Sequence, residues 1–269
     1  MINISIGPSG FGRAVDAEEI LDKFSKKGFG NCEVDFTYKV YLTKKQAEEI
    51  KELSKKQGIK LSVHASYFTN LNSEEEEKME ASKKRILNAC ERGEELGAEV
   101  VVFHPGYYGK DFAKAKTPEE IKKAKEETLQ NIKSRIKEMM EVIKEKKWKI
   151  KLAPETMGKI NVFGSIEEIS KLVKETGCSF CIDFAHVLAR EKRVDYEKIK
   201  RLFPEKEWHC HFSGIEYGEK GEKNHINLNK EDWKKLFENL PKEKEITIVC
   251  ESPSRIDDCA EGLEILEKF

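Results

Sequence analysis

Eight side chains of the types that bind divalent metals punctuate this chain: His64, His104, Glu155, Asp183, His186, His211, His225 and Glu251. Five of them close short β-branched or apolar runs, namely His64 in KLSVH, His104 in AEVVVFH, Glu155 in KIKLAPE, Asp183 in SFCID and Glu251 in ITIVCE. His211 sits one residue from the end of WHCHF, while His186 and His225 lie just beyond strand ends, in DFAH and in the glycine-rich, charged loop YGEKGEKNH. A lone histidine or glutamate at a strand end is ordinarily a hydrogen-bonded rim residue or a helix cap. Several buried carboxylates side by side are costly unless cations or protons neutralise them. Imidazole with carboxylate is the ligand set of Zn²⁺ and its divalent relatives. These ligands exceed what a single Zn²⁺ uses; two or three ions sharing a bridging carboxylate would use them, which suits in-line attack on a phosphate ester. His209, on the same strand face as His211, is expected one layer deeper as a packed or supporting imidazole.

Such convergence needs a scaffold that brings strand ends together. Strand runs are read at Ile2–Ile6, Asn31–Phe36, Lys60–His64, Ala98–His104, Lys149–Glu155, Ser179–Asp183, Trp208–Phe212 and Ile246–Glu251, separated by charged amphipathic segments. This βα repetition predicts an α/β fold, a (β/α)8 TIM barrel, as one domain over residues 1–269. In such a barrel the site lies at the carboxyl ends of the strands, where these residues fall. Helix starts are read from oxygen acceptors followed by Glu or Gln: Asp16 with Glu19, Thr43 with Gln46, Ser73 with Glu76, Thr117 with Glu120, and Ser165 with Glu168. Glu33 and Asp35 share one face of the second strand, and one of them is expected to support the metal ligands from behind.

Composition narrows the function further. Lys+Arg 49 against Asp+Glu 50 leaves a formal net charge of -1, so no global positive field draws the chain to nucleic acid, and any such contact must be local. The seven cysteines are scattered and odd in number, which suits buried thiols in a reducing cytoplasm rather than a disulfide framework. Cys178 and Cys181 form a CxxC whose members face opposite sides of a strand, so it is read as structural. No leader segment or membrane-length apolar run is evident, so a cytoplasmic protein is expected.

The segments SVHASY (Ser62 to Tyr67), FHPG, PET, DFAH, HFSG, NHINL and ESP, in this order along the chain, resemble the successive signatures of the endonuclease IV family. That family comprises zinc-dependent apurinic/apyrimidinic endonucleases on a TIM barrel. The resemblance implies a first zinc held by His64, His104 and bridging Glu155, and a second held by Glu155, Asp183, His211 and Glu251. Catalytic roles fall on Glu155, Asp183 and Glu251. The family's third zinc would use His186, His225 and an aspartate two residues before the latter, a position that here holds Lys223. Either Glu222 substitutes, or Lys223 meets the substrate phosphate, or the third site is absent. Tyr67 matches the family's aromatic residue and Phe68 is the candidate wedge beside it. The loop Phe36–Tyr41, Tyr107, Tyr108 and Lys110 complete an aromatic and basic rim. The implied partner is DNA carrying abasic sites, cut on the 5′ side to leave a 3′-hydroxyl, with no membrane partner and a monomeric protein.

Two other readings stand beside this one. A single-metal sugar isomerase or epimerase of the xylose isomerase-like superfamily would use only Glu155, Asp183, His211 and Glu251. It gives no reason for His64, His104, His186 and His225. A binding module without catalysis would not be expected to keep every imidazole and carboxylate at the strand ends.

Overall fold

A computed structural model of the protein describes residues 3–269, so Ile2 of the first expected strand lies outside the described residues. In chain order the elements are β1 Asn3–Pro8, α1 Ala17–Lys26, β2 Asn31–Asp35, α2 Lys44–Gln57, β3 Lys60–His64, α3 Glu76–Leu96, β4 Val100–Phe103, α4 Gly109–Lys114, α5 Pro118–Glu145 and β5 Lys151–Pro154. There follow α6 Ile166–Thr176, β6 Cys181–Asp183, α7 Phe184–Glu191, α8 Tyr196–Leu202, β7 Glu207–Phe212, β8 Gly214–Gly218, β9 Gly221–Ile226, α9 Lys230–Asn239, β10 Glu245–Cys250 and α10 Arg255–Leu266.

Two parallel ladders, β2-β3-β4-β5 and β1-β10-β7-β6, form the wall. Single parallel bridges, Ser9 to Glu33 and Glu155 to Cys181, join their edges and close the (β/α)8 barrel expected from the sequence. At the first seam β1 approaches β2 so closely that a Cβ on Gly7 would lie 1.7 Å from the Asn31 carbonyl oxygen, so only glycine fits there. The core between barrel and helices is apolar, with Trp233, Phe163, Phe180 and Ile136 fully buried.

The strands differ from the sequence reading mostly at their ends. β3 has the expected bounds, but β4, β5 and β10 stop at Phe103, Pro154 and Cys250. His104, Glu155 and Glu251 are therefore the first residues past the last paired positions of β4, β5 and β10, at the carboxyl ends that form the barrel mouth, with Glu155 still bridged to Cys181. Three of the expected capping boxes form, at Thr43, Thr117 and Ser165. Two do not. Asp16 is engaged by Arg13 at 2.8 Å and makes no cap hydrogen bond. Ser73 instead accepts from the Glu75 backbone, and α3 begins at Glu76 with Glu75 as its uncapped first boundary. The segment read as a glycine-rich loop is an antiparallel hairpin, β8 with β9. Among the described residues no helix is long and apolar enough to cross a membrane.

Candidate metal centre

Glu155 is the hub of the barrel mouth and is 1% exposed, a burial no carboxylate tolerates without compensation. Its Oε2 lies 3.4 Å from His64 Nε2 and 3.1 Å from His104 Nε2. Its Oε1 lies 3.5 Å from His211 Nδ1 and 3.1 Å from His186 Nδ1. One carboxylate thus serves two neighbouring donor sets with separate oxygens, which is the geometry of a bridging ligand. Asp183 divides its work likewise: Oδ1 caps α7 by accepting from the His186 backbone at 2.7 Å, while Oδ2 has no hydrogen-bond partner. Glu251 Oε1 completes this side at 3.4 Å from His211 Nδ1.

Donor atoms fall into adjoining groups, each within 4.8 Å: His64, His104 and Glu155; Glu155, Asp183, His211 and Glu251; and Asp183, His186 and His225. Glu155 Oε1, Asp183 Oδ2 and His211 Nδ1 are buried polar atoms without hydrogen-bond partners, and all three belong to the middle group. Orphaned donors of this kind at one point fit a cation. The ring orientations agree. His64 Nδ1 lies 2.7 Å from the Ala65 carbonyl and His186 Nδ1 lies 2.9 Å from the Thr156 carbonyl, so the proton sits on Nδ1 and Nε2 is left to ligate.

Electrostatics tell the same story. Burial opposes ionisation of Glu155, yet the surrounding imidazoles of His104, His186, His211 and His64 hold it well below the usual carboxylate range. Burial likewise opposes charge on His64, but Glu155 lifts it to about 9. His186 and His211 are raised well above the ordinary histidine value against burial, His186 first by Asp183, and His211 by Cys181, Glu251 and Glu33. Without metal, protons on these rings neutralise the carboxylates. Such pairs stabilise the metal-free fold fully below the ordinary imidazole pKa, and the His64 contribution is lost as pH rises through about 9. Ligation requires neutral rings, so zinc binding at neutral pH is expected to expel protons from His64, His186 and His211 and to tighten with rising pH. Calorimetric titration in buffers of different ionisation enthalpy measures this; a binding enthalpy independent of buffer would contradict it.

Behind the ligands lies a layer that the sequence reading placed only loosely. Glu33, fully buried, has Oε1 3.0 Å from His211 Nε2 and Oε2 3.3 Å from His209 Nε2, and accepts from Ser62 Oγ at 2.8 Å. His209 is thus the deeper imidazole expected beside His211. Asp35 lies nearby, pushed up to about 7 by burial and then by the charge of Glu33. Cys181, His209 and His211 form one more donor group; all seven cysteines are free and buried, and Cys178 has no place at the mouth.

A cavity of about 540 Å³ opens above the hub, lined by His64, Tyr67, Phe68, His104, Tyr107, Lys159, Glu222, Lys223 and His225 among others. Tyr67 stacks on His64 with centroids 4.9 Å apart and meets His104 edge-on at 5.0 Å. Phe68 is 60% exposed and Tyr38 74% exposed, and their rings stack on one another at 5.8 Å. Tyr108 departs from the expected rim: it is buried, with its hydroxyl donating to Glu168 and accepting from Arg190. Phe36 is buried as well, and Lys110 pairs with Glu74 at 2.7 Å. Lys223 Nζ lies 3.4 Å from Glu216 Oε1, whereas Glu222 turns its carboxylate toward His186. The two residues between Gly218 and Gly221 are the turn signal that could have disclosed the hairpin carrying them.

Residues 21–269 match the family model described as xylose isomerase-like TIM barrel. An uncharacterized protein of Methanocaldococcus jannaschii is 34% identical over 255 residues, covering 89% of this chain and 88% of its own length. An apurinic-apyrimidinic endonuclease of Caenorhabditis elegans is 31% identical over 153 residues, which are 53% of this chain and 35% of that relative. Among solved structures, endonuclease IV from Thermus thermophilus superposes over 100% of both chains with TM-score 0.71 and 19% identity. A D-psicose 3-epimerase superposes over 100% of this chain and 98% of its own with TM-score 0.64 and 14% identity. At these identities the superpositions speak for the fold, which nucleases and sugar epimerases share.

Proposed function

Because the chain belongs to the xylose isomerase-like TIM barrel family, we propose that it is a zinc-dependent phosphodiesterase that cuts DNA 5′ to abasic sites, as a cytoplasmic monomer of one domain over residues 1–269. The observation that carries this reading is the shared carboxylate: Glu155 faces His64 and His104 through one oxygen and His211 through the other. A single-ion epimerase has no use for the first pair.

In this reading His64, His104 and Glu155 hold one ion, and Glu155, Asp183, His211 and Glu251 a second. Bound there, the ions supply Lewis-acid polarisation of a phosphate ester. The chain's own residues do the rest. Glu155 fixes the spacing of the two donor sets. Asp183, tied to the start of α7 through Oδ1, presents Oδ2 in a fixed direction. Tyr67 packs against His64 and His104 and keeps their rings from rotating. Phe68, with Tyr38 behind it, offers an exposed apolar face on which a base could stack, worth about 1–3 kcal/mol per base. Extruding a nucleotide costs least where its base is already missing. Lys159 and Lys223 line the cavity and are the local cations for the phosphates of a chain with no net positive charge.

The test is an end-labelled duplex with one abasic site, incubated with zinc-loaded protein. Incision 5′ to the lesion, lost with chelator and restored by zinc, is the expected result, with Phe68→Ala weakening duplex binding. The second reading, a sugar epimerase, is favoured by the middle donor group of Glu155, Asp183, His211 and Glu251, which a single ion would satisfy, beneath a cavity of about 540 Å³. An uncut duplex together with turnover of ketoses would replace the first reading by the second.

A further inference from the structure

We infer that Glu222, and not Lys223, completes a third metal site with His186 and His225, and that a β-bulge in the hairpin puts it there. Along a regular strand, residues two apart share a face, so position 223 would lie beside His225. Here the register runs Ile215 opposite His225, Glu216 opposite Asn224, then Tyr217 opposite Glu222, leaving Lys223 as the extra residue. A bulge of one residue reverses the alternation beyond it. Glu222 thereby joins the face of His225, whereas Lys223, at the cavity's edge, turns to Glu216, its Nζ 3.4 Å from Glu216 Oε1. The face carrying Ile215 packs on Ala185 and Ala189 of α7, the helix that bears His186.

The atoms meet accordingly. His186 Nε2 lies 3.3 Å from His225 Nε2 and 3.5 Å from Glu222 Oε2. Ligands at Zn–N and Zn–O lengths of about 2.0–2.1 Å in a tetrahedron are separated by roughly 3.4 Å. His186 Nδ1 is committed to the Thr156 carbonyl at 2.9 Å, so Nε2 is the ring atom that faces His225 and is available to ligate. Two ring nitrogens that close need a proton or a cation between them. The carboxylate is also held from behind. Glu222 donates its backbone N–H to the Gly158 carbonyl, and a Cβ at Gly158 would lie 2.7 Å from Glu222 Cβ and 3.0 Å from its Oε2. The same Cβ would lie 3.1 Å from His186 Cδ2, so the absence of a side chain at Gly158 leaves room for both Glu222 and the His186 ring.

This inference rests on the metal-centre part of the proposed function and not on the reaction. Zinc titration of the full chain against a chromophoric chelator, with elemental analysis after gel filtration, should give three ions per chain. Glu222→Gln should weaken the third step by about tenfold or more, and Gly158→Ala, which removes no ligand, should weaken it too. Lys223→Ala should keep three ions. Thermal unfolding of the metal-free variants shows that each is folded. Two ions in the unaltered protein, or a third step unchanged in both Glu222→Gln and Gly158→Ala, would overturn the inference. Three ions with an uncut abasic duplex would leave it standing and remove the nuclease reading instead.

Discussion

Glu155→Gln is expected to lower incision by about 10³-fold or more, since the bridging charge acts on both donor sets at once and its loss compounds the cost of any single ligand. The substitution keeps the shape and removes the charge, so the change is electrostatic. In the metal-free protein it should also destabilise. Glu155 is buried among His64, His104, His186 and His211, and stripping one partner from a buried ion pair leaves the others uncompensated at a cost of about 3–5 kcal/mol. The two effects separate by measurement: urea unfolding of metal-free protein reads the stability, and kcat at saturating zinc reads the chemistry. A variant that retains wild-type kcat at saturating zinc would remove Glu155 from its bridging role.

Glu33→Gln should act on the metal from behind. Glu33 touches no cavity wall, yet it sits 3.0 Å from His211 Nε2 and 3.3 Å from His209 Nε2, the position of a carboxylate that orients a ligating imidazole and raises its basicity. Outer partners of this kind are worth about 10–100-fold in metal affinity. The ion shared by Asp183, His211 and Glu251 should leave first under chelator in Glu33→Gln, while kcat at saturating zinc changes little. A purely packing role for Glu33 would lower thermal stability and leave the order of zinc release untouched. Burial opposes charge on Glu33, but His211 and His209 hold it well below the usual carboxylate range. Its stabilising charge is therefore present at neutral pH and lost only as the protein is acidified below the ordinary glutamate pKa.

Much of the candidate site was legible because its donor side chains are typed by local pattern. An apolar run ending in His64, Asp183 or Glu251 marks a strand and its carboxyl end together, and the barrel sends all such ends to one mouth. Thr43, Thr117 and Ser165 announced their helices because a capping box closes within four residues and needs no tertiary partner. Asp16 and Ser73 carried the same spacing and failed where other local partners took their oxygen atoms. Tyr108 read as a rim residue and is buried, because Glu168 and Arg190, remote in sequence, satisfy its hydroxyl.

By itself, then, the sequence determined the kinds of donor side chain and the strand ends that bear them, and through the βα repetition the barrel that gathers those ends. Only the tertiary structure decided which atoms face one another. Glu33 reaches His209 and His211 across 176 and 178 positions of chain because two ladders close into one barrel, and no local period encodes that meeting. Glu222 shares the face of His225 because one unpaired residue reverses the side-chain alternation of β9, and that reversal exists only in the pairing with β8.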